Sequence, residues 1–495
     1  MERFLHMWWK IILILLAVFI LVTLIRAAFY KPKKIKHYEI DKIRIDENKV
    51  AEHLSQAIRF KTISMAGDVG VDWNEFEKFH AFLDETYPLI AKNTVKEKIS
   101  HASLMYRWKG SNPDLEPIAL IAHQDVVPVA EGTEKDWTHD AFGGEIADGM
   151  VWGRGALDMK NHLICVMEAA ESLMEQGFQP ERDVYLCFGH NEEIVSTEHS
   201  GAQNIVKTFK SRGIRLDSVL DEGSALIRLD VPGLIHTYIA AIGMAEKGFV
   251  NMKITAHDKG GHTSAAPVHS GMAKLAHMVQ DLESHQFKAR WLPFLDELFD
   301  GVGRRATYLG RIVTCNIPIL KPVIKFAMKS IYEAATMVRT VTSVSMCEGS
   351  PAPNVLPQRP SITVNFRMLP GDTSDDVEKH VRKHIRYKDV EIEKYDVKEA
   401  SEFSKTGSRA FEAIREIESS LHPDDVAVVP YMVMGGTDAY YYQDISDNVL
   451  RYAPFNVPIS LFKLTHGTNE RCPIDTLGES VTFFREYIKK VSAEN

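Results

Sequence analysis

Paired cysteines are missing from this 495-residue chain. Its five, Cys165, Cys187, Cys315, Cys347 and Cys472, are scattered, odd in number and without a Cys-x-x-Cys, so they indicate neither a disulfide framework nor a cysteine zinc site. They read as small buried hydrophobes. No Asn-x-Ser/Thr sequon occurs, which speaks against a glycosylating lumen. Surplus positive charge is absent as well: 58 Lys and Arg against 67 Asp and Glu leave a net charge of -9, and no basic, aromatic-interleaved patch stands out. A nucleic-acid partner is therefore not expected. Internal repeats and low-complexity tracts are lacking, and no membrane-grade apolar run follows residue 30.

The one such run comes before it. Ile11 to Ile25 is uninterrupted, Lys10 and Arg26 can snorkel at its ends, and Trp8, Trp9, Phe29 and Tyr30 suit the interface. The span comes near the ~20 residues that a bilayer requires. A cleaved signal peptide would end on a small-residue site, and Ala27-Ala28 matches one poorly, so an uncleaved single-pass anchor is expected. Arg26, Lys31, Lys33, Lys34 and Lys36 outnumber Arg3 and Lys10, which places the bulk of the chain on the cytoplasmic side. Residues 31–45 read as a basic juxtamembrane linker that touches anionic lipid.

At 45% hydrophobic and 25% charged the remainder is ordinary globular protein, long enough for two or three domains. From about 46 to 242 helical pieces (VAEHLSQAIRF, 50–60) alternate with strand-like ones (MYRWKG, 105–110; PIALIA, 117–122; DVYLCF, 183–188; DSVL, 217–220), the signature of an α/β sheet. Over 243–398 the order becomes strand, helix, strand, strand, helix, strand, which predicts a smaller α+β unit inserted in the larger domain. Within it, 288–340 reads as irregular and partly helical. Residues 399–495 return to the first domain.

Metal-ligand side chains gather at the ends of predicted strands: His123 in AHQDVV, Asp158 in GRGALDMK, Glu193 in HNEE, Asp221 in LDEG and His466 in LTHGTNE. Catalytic groups collect at such ends in open α/β sheets. His123 and Asp125 stand two apart on an extended chain and share a face. Each alone has a plain explanation: a satisfied histidine, an acidic turn, a solvated charge run. Their joint order does not. HxD, GRGxxDMK, a paired EE, DEG and a late HGxNE resemble the two-zinc family that contains aminoacylases, carnosinase-type dipeptidases, succinyl-diaminopimelate desuccinylase and bacterial glutamate carboxypeptidase. Within it the chain is most similar to the carboxypeptidase S-like branch, which includes N-acyl-amino-acid hydrolases, over roughly residues 50–490.

The resemblance implies a mixed-sheet catalytic domain with an inserted lid or dimerisation domain and two zinc ions, with cobalt or manganese as substitutes. It implies that His123 serves one ion and His466 the other, that Asp158 bridges them, that Glu193 joins His466, and that Asp221 or its neighbour Glu222 joins His123. Asp125 would orient the His123 imidazole and Glu192 would act as general base. His262 in GGHTSAAP resembles a carbonyl-polarising histidine delivered across a dimer or by a closing lid. Asn354 and Arg367 match positions that hold the substrate carbonyl and carboxylate, and GGTD (435–438) resembles a substrate-side glycine loop. The expected activity is cleavage of an amide next to a free carboxylate, in a small peptide or an N-acyl amino acid. The other class is an inactive peptidase-fold binding protein at the membrane. Retention of every ligand position and of Glu192 favours the enzyme.

Overall fold

Apolar runs decide how the large sheet is built. IALIAH and VYLCFG become the strands Ile118–His123 and Val184–Gly189, buried along their whole length and paired in parallel with His123 opposite Gly189. Strands covered on both faces need such continuous apolarity. The computed structural model describes residues 2–194, 201–423 and 426–494. Its eight-stranded mixed sheet runs Thr94–Ile99, Ser103–Trp108, Val184–Gly189, Ile118–His123, Ser218–Val231, Val449–Asn456, Ile235–Glu246, Val426–Val433. Side chains of one strand feed two cores: Leu120 and Ala122 pack towards the helices Lys160–Glu175 and Leu477–Ser492, while Ala119 and Ile121 pack towards Gly201–Ser211. This is the doubly covered α/β sheet that the alternation predicts, although the DSVL strand proves to be the start of a much longer one.

A second, wholly antiparallel sheet takes the order Val341–Glu348, Ser361–Met368, Gly248–Thr255, Glu391–Lys398. Alternate residues Val250, Met252 and Ile254 face Leu275 and Met278 of the helix Gly271–Ser284 and Val377 and Val381 of the helix Ser374–His384. Thr373 starts the latter with a reciprocal capping box to Asp376. The expected strand and helix order is the order found.

The 288–340 segment, read as irregular and partly helical, is built mainly of helices. It holds four helices, Phe294–Arg305, Tyr308–Thr314, Ile317–Met328 and Tyr332–Thr336. The first lies on the edge strand Val426–Val433 so closely that a side chain at Gly301 would meet Val429. Covering an edge strand is how a sheet avoids pairing with other chains. At the N-terminus Glu2–Phe29 is one helix, and its 22 residues Trp8–Phe29 are long and apolar enough to cross a membrane. The linker after it is tied down, with the Tyr38 hydroxyl donating to Glu486 at 2.8 Å and the Tyr38 amide to Ser420 Oγ at 3.1 Å.

The two sheets meet at a buried charge cluster. Glu246 accepts from Arg451 Nε and from the Thr437 amide, both at 3.1 Å, and Lys398 Nζ of the second sheet lies 3.0 Å from its other oxygen. Removing one partner of a buried ion pair leaves an uncompensated charge. Glu246→Met, which leaves the buried Arg451 without its anion, should therefore cost about 3–5 kcal/mol. Thermal unfolding of the full chain checks this, with Arg228→Met, at an exposed pair with Asp230, expected to leave the midpoint unchanged.

Candidate metal centre

Three neighbouring strands deliver acidic and imidazole groups to one end of the large sheet. His123 is the last residue of its strand, Glu192 and Glu193 follow Val184–Gly189, and Glu222 lies just beyond the paired Leu120 and Leu220. Asp158 comes from the turn ahead of Lys160–Glu175, and His466 from the loop after Ile459–Phe462. Those last two segments are joined by groups that the sequence reading did not single out. Glu470, fully buried, accepts from the amides of Leu157 at 2.9 Å and Asp158 at 3.2 Å, and pairs with Arg154. Arg154 also donates to the carbonyl oxygens of His466 at 3.1 Å and Gly467 at 3.2 Å. Both lie inside motifs quoted for other residues, GRG and HGTNE, which was the available signal. Gly155, at φ 84°, lets this turn run against Val126, whose methyl would lie 2.6 Å from an added Cβ.

The Asp158 carboxylate is shared. Oδ1 lies 3.0 Å from His123 Nε2 and Oδ2 lies 3.0 Å from His466 Nε2. His466 Nε2 is also 3.0 Å from Glu193 Oε2, while His123 Nε2 is 3.3 Å from Glu222 Oε1 and 4.0 Å from Glu192 Oε2. Asp125, wholly buried, sits behind them: it accepts from Ser64 Oγ at 2.6 Å and from the amides of Glu192 and Glu193 at 3.1 and 3.2 Å, and His123 Nδ1 lies 3.0 Å from its carbonyl oxygen. His123 with Glu192 and Glu222, and His123 with Asp158 and Glu193, each converge as a metal-sized set of donors. Two imidazoles with several carboxylates and no thiolate suit zinc and its divalent neighbours. One further observation fits a cation: Glu193 Oε1 is buried with no hydrogen-bond partner.

Glu222, rather than the Asp221 named first from the sequence, faces His123. Consecutive residues of a strand point to opposite faces, so only one of the pair can reach. Asp221 turns away and accepts from the Ala439 amide at 2.8 Å. His262 and Asn354 line a common cavity of about 660 Å³ beside the second sheet, and Arg367 lies on that sheet with its guanidinium 5.2 Å from the Phe249 ring centre. Among the described residues, no hydrogen bond or ion pair joins these three to the His123 cluster. The GGTD loop contributes buried Asp438, close to Gly189 beneath the cluster.

Burial dominates the electrostatics. It raises the carboxyl of Glu222 to about 8, aided by the Asp158 charge, and that of Asp438 to about 8, aided by Asp221. It lifts Glu192 well above its ordinary range. Hydrogen bonds to Asp158 and Glu193 raise His466 to about 10. Burial opposes a charge on His123, yet its bonds to Asp125, Asp158 and Glu222 prevail and hold it protonated. Without a cation, then, protons balance this site.

The family model for peptidase family M20/M25/M40 matches residues 119–490. The probable carboxypeptidase S-like 2 of Dictyostelium discoideum is 34% identical over 453 residues, covering 90% of this chain and 85% of that protein. The N-fatty-acyl-amino acid synthase/hydrolase PM20D1 of Bos taurus is 27% identical over 444 residues, covering 88% and 87%. Among solved structures, the M20 family metallo-carboxypeptidase Sso-CP2 of Sulfolobus solfataricus shares the fold at a TM-score of 0.65 and 18% identity, over 90% of this chain and 100% of that one.

Two outcomes are expected from this geometry. Glu222→Gln lowers the metal content of the purified protein, read by elemental analysis, whereas Asp221→Asn leaves it unchanged. The second concerns pH. A raised pKa contributes stability that is present below the unfolded value and lost as pH climbs through the folded one. For Glu222 that window runs from 4.5 to about 8, and for His466 from 6.5 to about 10. Asp125 and Asp158 are lowered from 3.8, so their opposite contribution is complete in acid. Lys160 and Lys247, lowered by burial to about 7, oppose this above neutrality, so the chelated protein should melt at progressively lower temperature between about pH 5 and about pH 7. Zinc should flatten that slope. A melting temperature that rises with pH over that range after chelation would contradict the charge balance.

Proposed function

We propose, from the premise that this chain belongs to peptidase family M20/M25/M40, that it is a membrane-anchored di-zinc amidohydrolase which frees an amino acid from an amide next to a free carboxylate. The observation that carries this is the Asp158 carboxylate, with one oxygen 3.0 Å from each of two imidazoles. In this reading His123 and Glu222 would hold one ion, His466 and Glu193 the other, and Asp158 would offer one oxygen to each. Bound zinc supplies a water of lowered pKa and a Lewis acid for the scissile carbonyl.

The protein's own groups do the rest. Glu192 takes the proton of the attacking water and returns it to the leaving amine. Asp125 fixes where Glu192 stands by accepting its backbone amide, and it accepts the amide of Glu193 as well, so adjacent glutamates are held for different work. Arg367 and Asn354 would grip the substrate's carboxylate and carbonyl, and His262 would polarise the scissile bond, once the second-sheet unit closes or a partner copy supplies it. The apolar Trp8–Phe29 helix favours N-fatty-acyl amino acids over peptides, because an enzyme tethered at a bilayer meets acyl chains dissolved there.

The test feeds matched fatty-acyl and peptidyl leucines to the full chain with and without chelator. Amino acid release from the acyl substrate, abolished by chelation and restored by zinc, is expected; release indifferent to chelator sinks the metal mechanism, and a strong peptide preference removes the lipid substrate. Glu192→Gln should reduce kcat by about 10²–10⁴-fold while metal content and KM hold. Should Glu192→Gln retain full kcat, another group is the base.

A further inference from the structure

The helix Ile317–Met328 is apolar on two sides, and only one of them is used. Ile317 and Met328 are buried, and Ile324 packs on the Phe294 and Leu295 core. The opposite side carries Ile319, Val323 and Phe326 at 58, 64 and 70% exposure, spaced at i, i+4 and i+7. Leu309 and Val313 of the preceding helix, at 58 and 50%, extend the same surface. A helix on a soluble domain turns charged residues outward, and contiguous exposed apolar surface marks an interaction.

Two facts identify the occupant. Lys325 and Lys329 flank the apolar stripe, as lysines do on helices that lie in a membrane interface with their ammonium groups at the phosphates, while Lys321 on the inner side is paired with Asp296 at 2.7 Å. The second is depth. Tyr308 donates to the carbonyl oxygen of Leu24 at 3.0 Å, Asn316 to Thr23 Oγ1 at 3.3 Å, and Arg26 to the carbonyl oxygen of Cys315 at 2.7 Å. These contacts fasten both helices at the level of residues 23–26, inside the apolar stretch that ends at Phe29. At about 1.5 Å per residue, Leu24 lies about 7 Å within that end. Interfacial helices bury their apolar faces about 5–10 Å deep.

We propose that Tyr308–Thr314 and Ile317–Met328 form a second membrane-contacting surface, which sinks Leu309, Val313, Ile319, Val323 and Phe326 into the acyl boundary of an anionic phospholipid bilayer. The depth argument rests on reading Trp8–Phe29 as a membrane span. Together the two contacts hold the catalytic part at one orientation to the lipid, where a single helix would leave it swinging on a tether.

Site-directed spin labelling of the full chain tests this in vesicles of phosphatidylcholine and phosphatidylglycerol. Cys347→Ser removes the exposed thiol, the remaining cysteines are buried, and single labels go at Phe326→Cys, at Leu16→Cys within the apolar helix and at Lys92→Cys on the exposed surface. Dissolved oxygen is expected to relax the label at 326 more than an aqueous nickel chelate does, as at 16, with the reverse at 92. A 326 label relaxed chiefly by nickel, like 92, overturns the proposal whatever 16 shows. If 16 alone favours oxygen, the anchor stands without the second surface; if 326 favours oxygen and 16 does not, the surface stands and the anchor reading falls. All these positions are exposed, so labelling leaves the fold intact.

Discussion

Negative charge crowded into a small buried space is the constraint around which this molecule is arranged. Asp158, Glu192, Glu193 and Glu222 converge on two imidazoles, and among the described residues no lysine or arginine pairs with any of them. Like charges at such spacing disfavour one another strongly in a low dielectric. The chain brings them together regardless and lets protons balance the site until a divalent cation does. That is a costly arrangement for stability alone, and it makes sense for a protein of a metallopeptidase family.

The sheet tolerates this because the parallel strands Ile118–His123 and Val184–Gly189 end at the crowding, while Glu222 stands just past the last rung that Ser218–Val231 shares with Ile118–His123. Everything that fixes the cluster precedes or follows those ends. Asp125 ties the Glu192 and Glu193 amides to the His123 strand. Glu470 and Arg154 do the same for the Asp158 turn and the His466 loop, which lie more than three hundred residues apart in sequence. The polar partners behind the donors therefore carry as much of the geometry as the donors themselves.

Much of this was legible in the sequence, and unevenly so. The order of strands and helices in both sheets followed from continuous apolar runs in one and alternation in the other, because burial on two faces and on one leave different patterns. The residues that converge were legible through motif order. What failed was orientation within a motif. LDEG offers two adjacent carboxylates, and which of them faces His123 depends on strand register, which one sequence does not contain. Glu470 was overlooked because a buried glutamate bonded to backbone amides looks, in sequence, like any loop acid. The 288–340 segment was legible only as irregular and partly helical. Its helices are short and interrupted, with Pro318 and Pro322 among the breaks, so no long apolar period runs through it.

Contacts from Tyr308, Asn316 and Arg26 tie the Tyr308–Thr314 and Ile317–Met328 helices to the N-terminal helix. The same segment reaches the second sheet: Lys247 of that unit, buried, donates to the carbonyl oxygens of Thr336 and Arg339 at 2.9 and 3.0 Å. One continuous set of packed helices thus runs from the N-terminal helix to the sheet that bears Arg367. A bilayer that holds the helices at a fixed depth would then also set the height at which that sheet, and any carboxylate gripped on it, stands above the lipid.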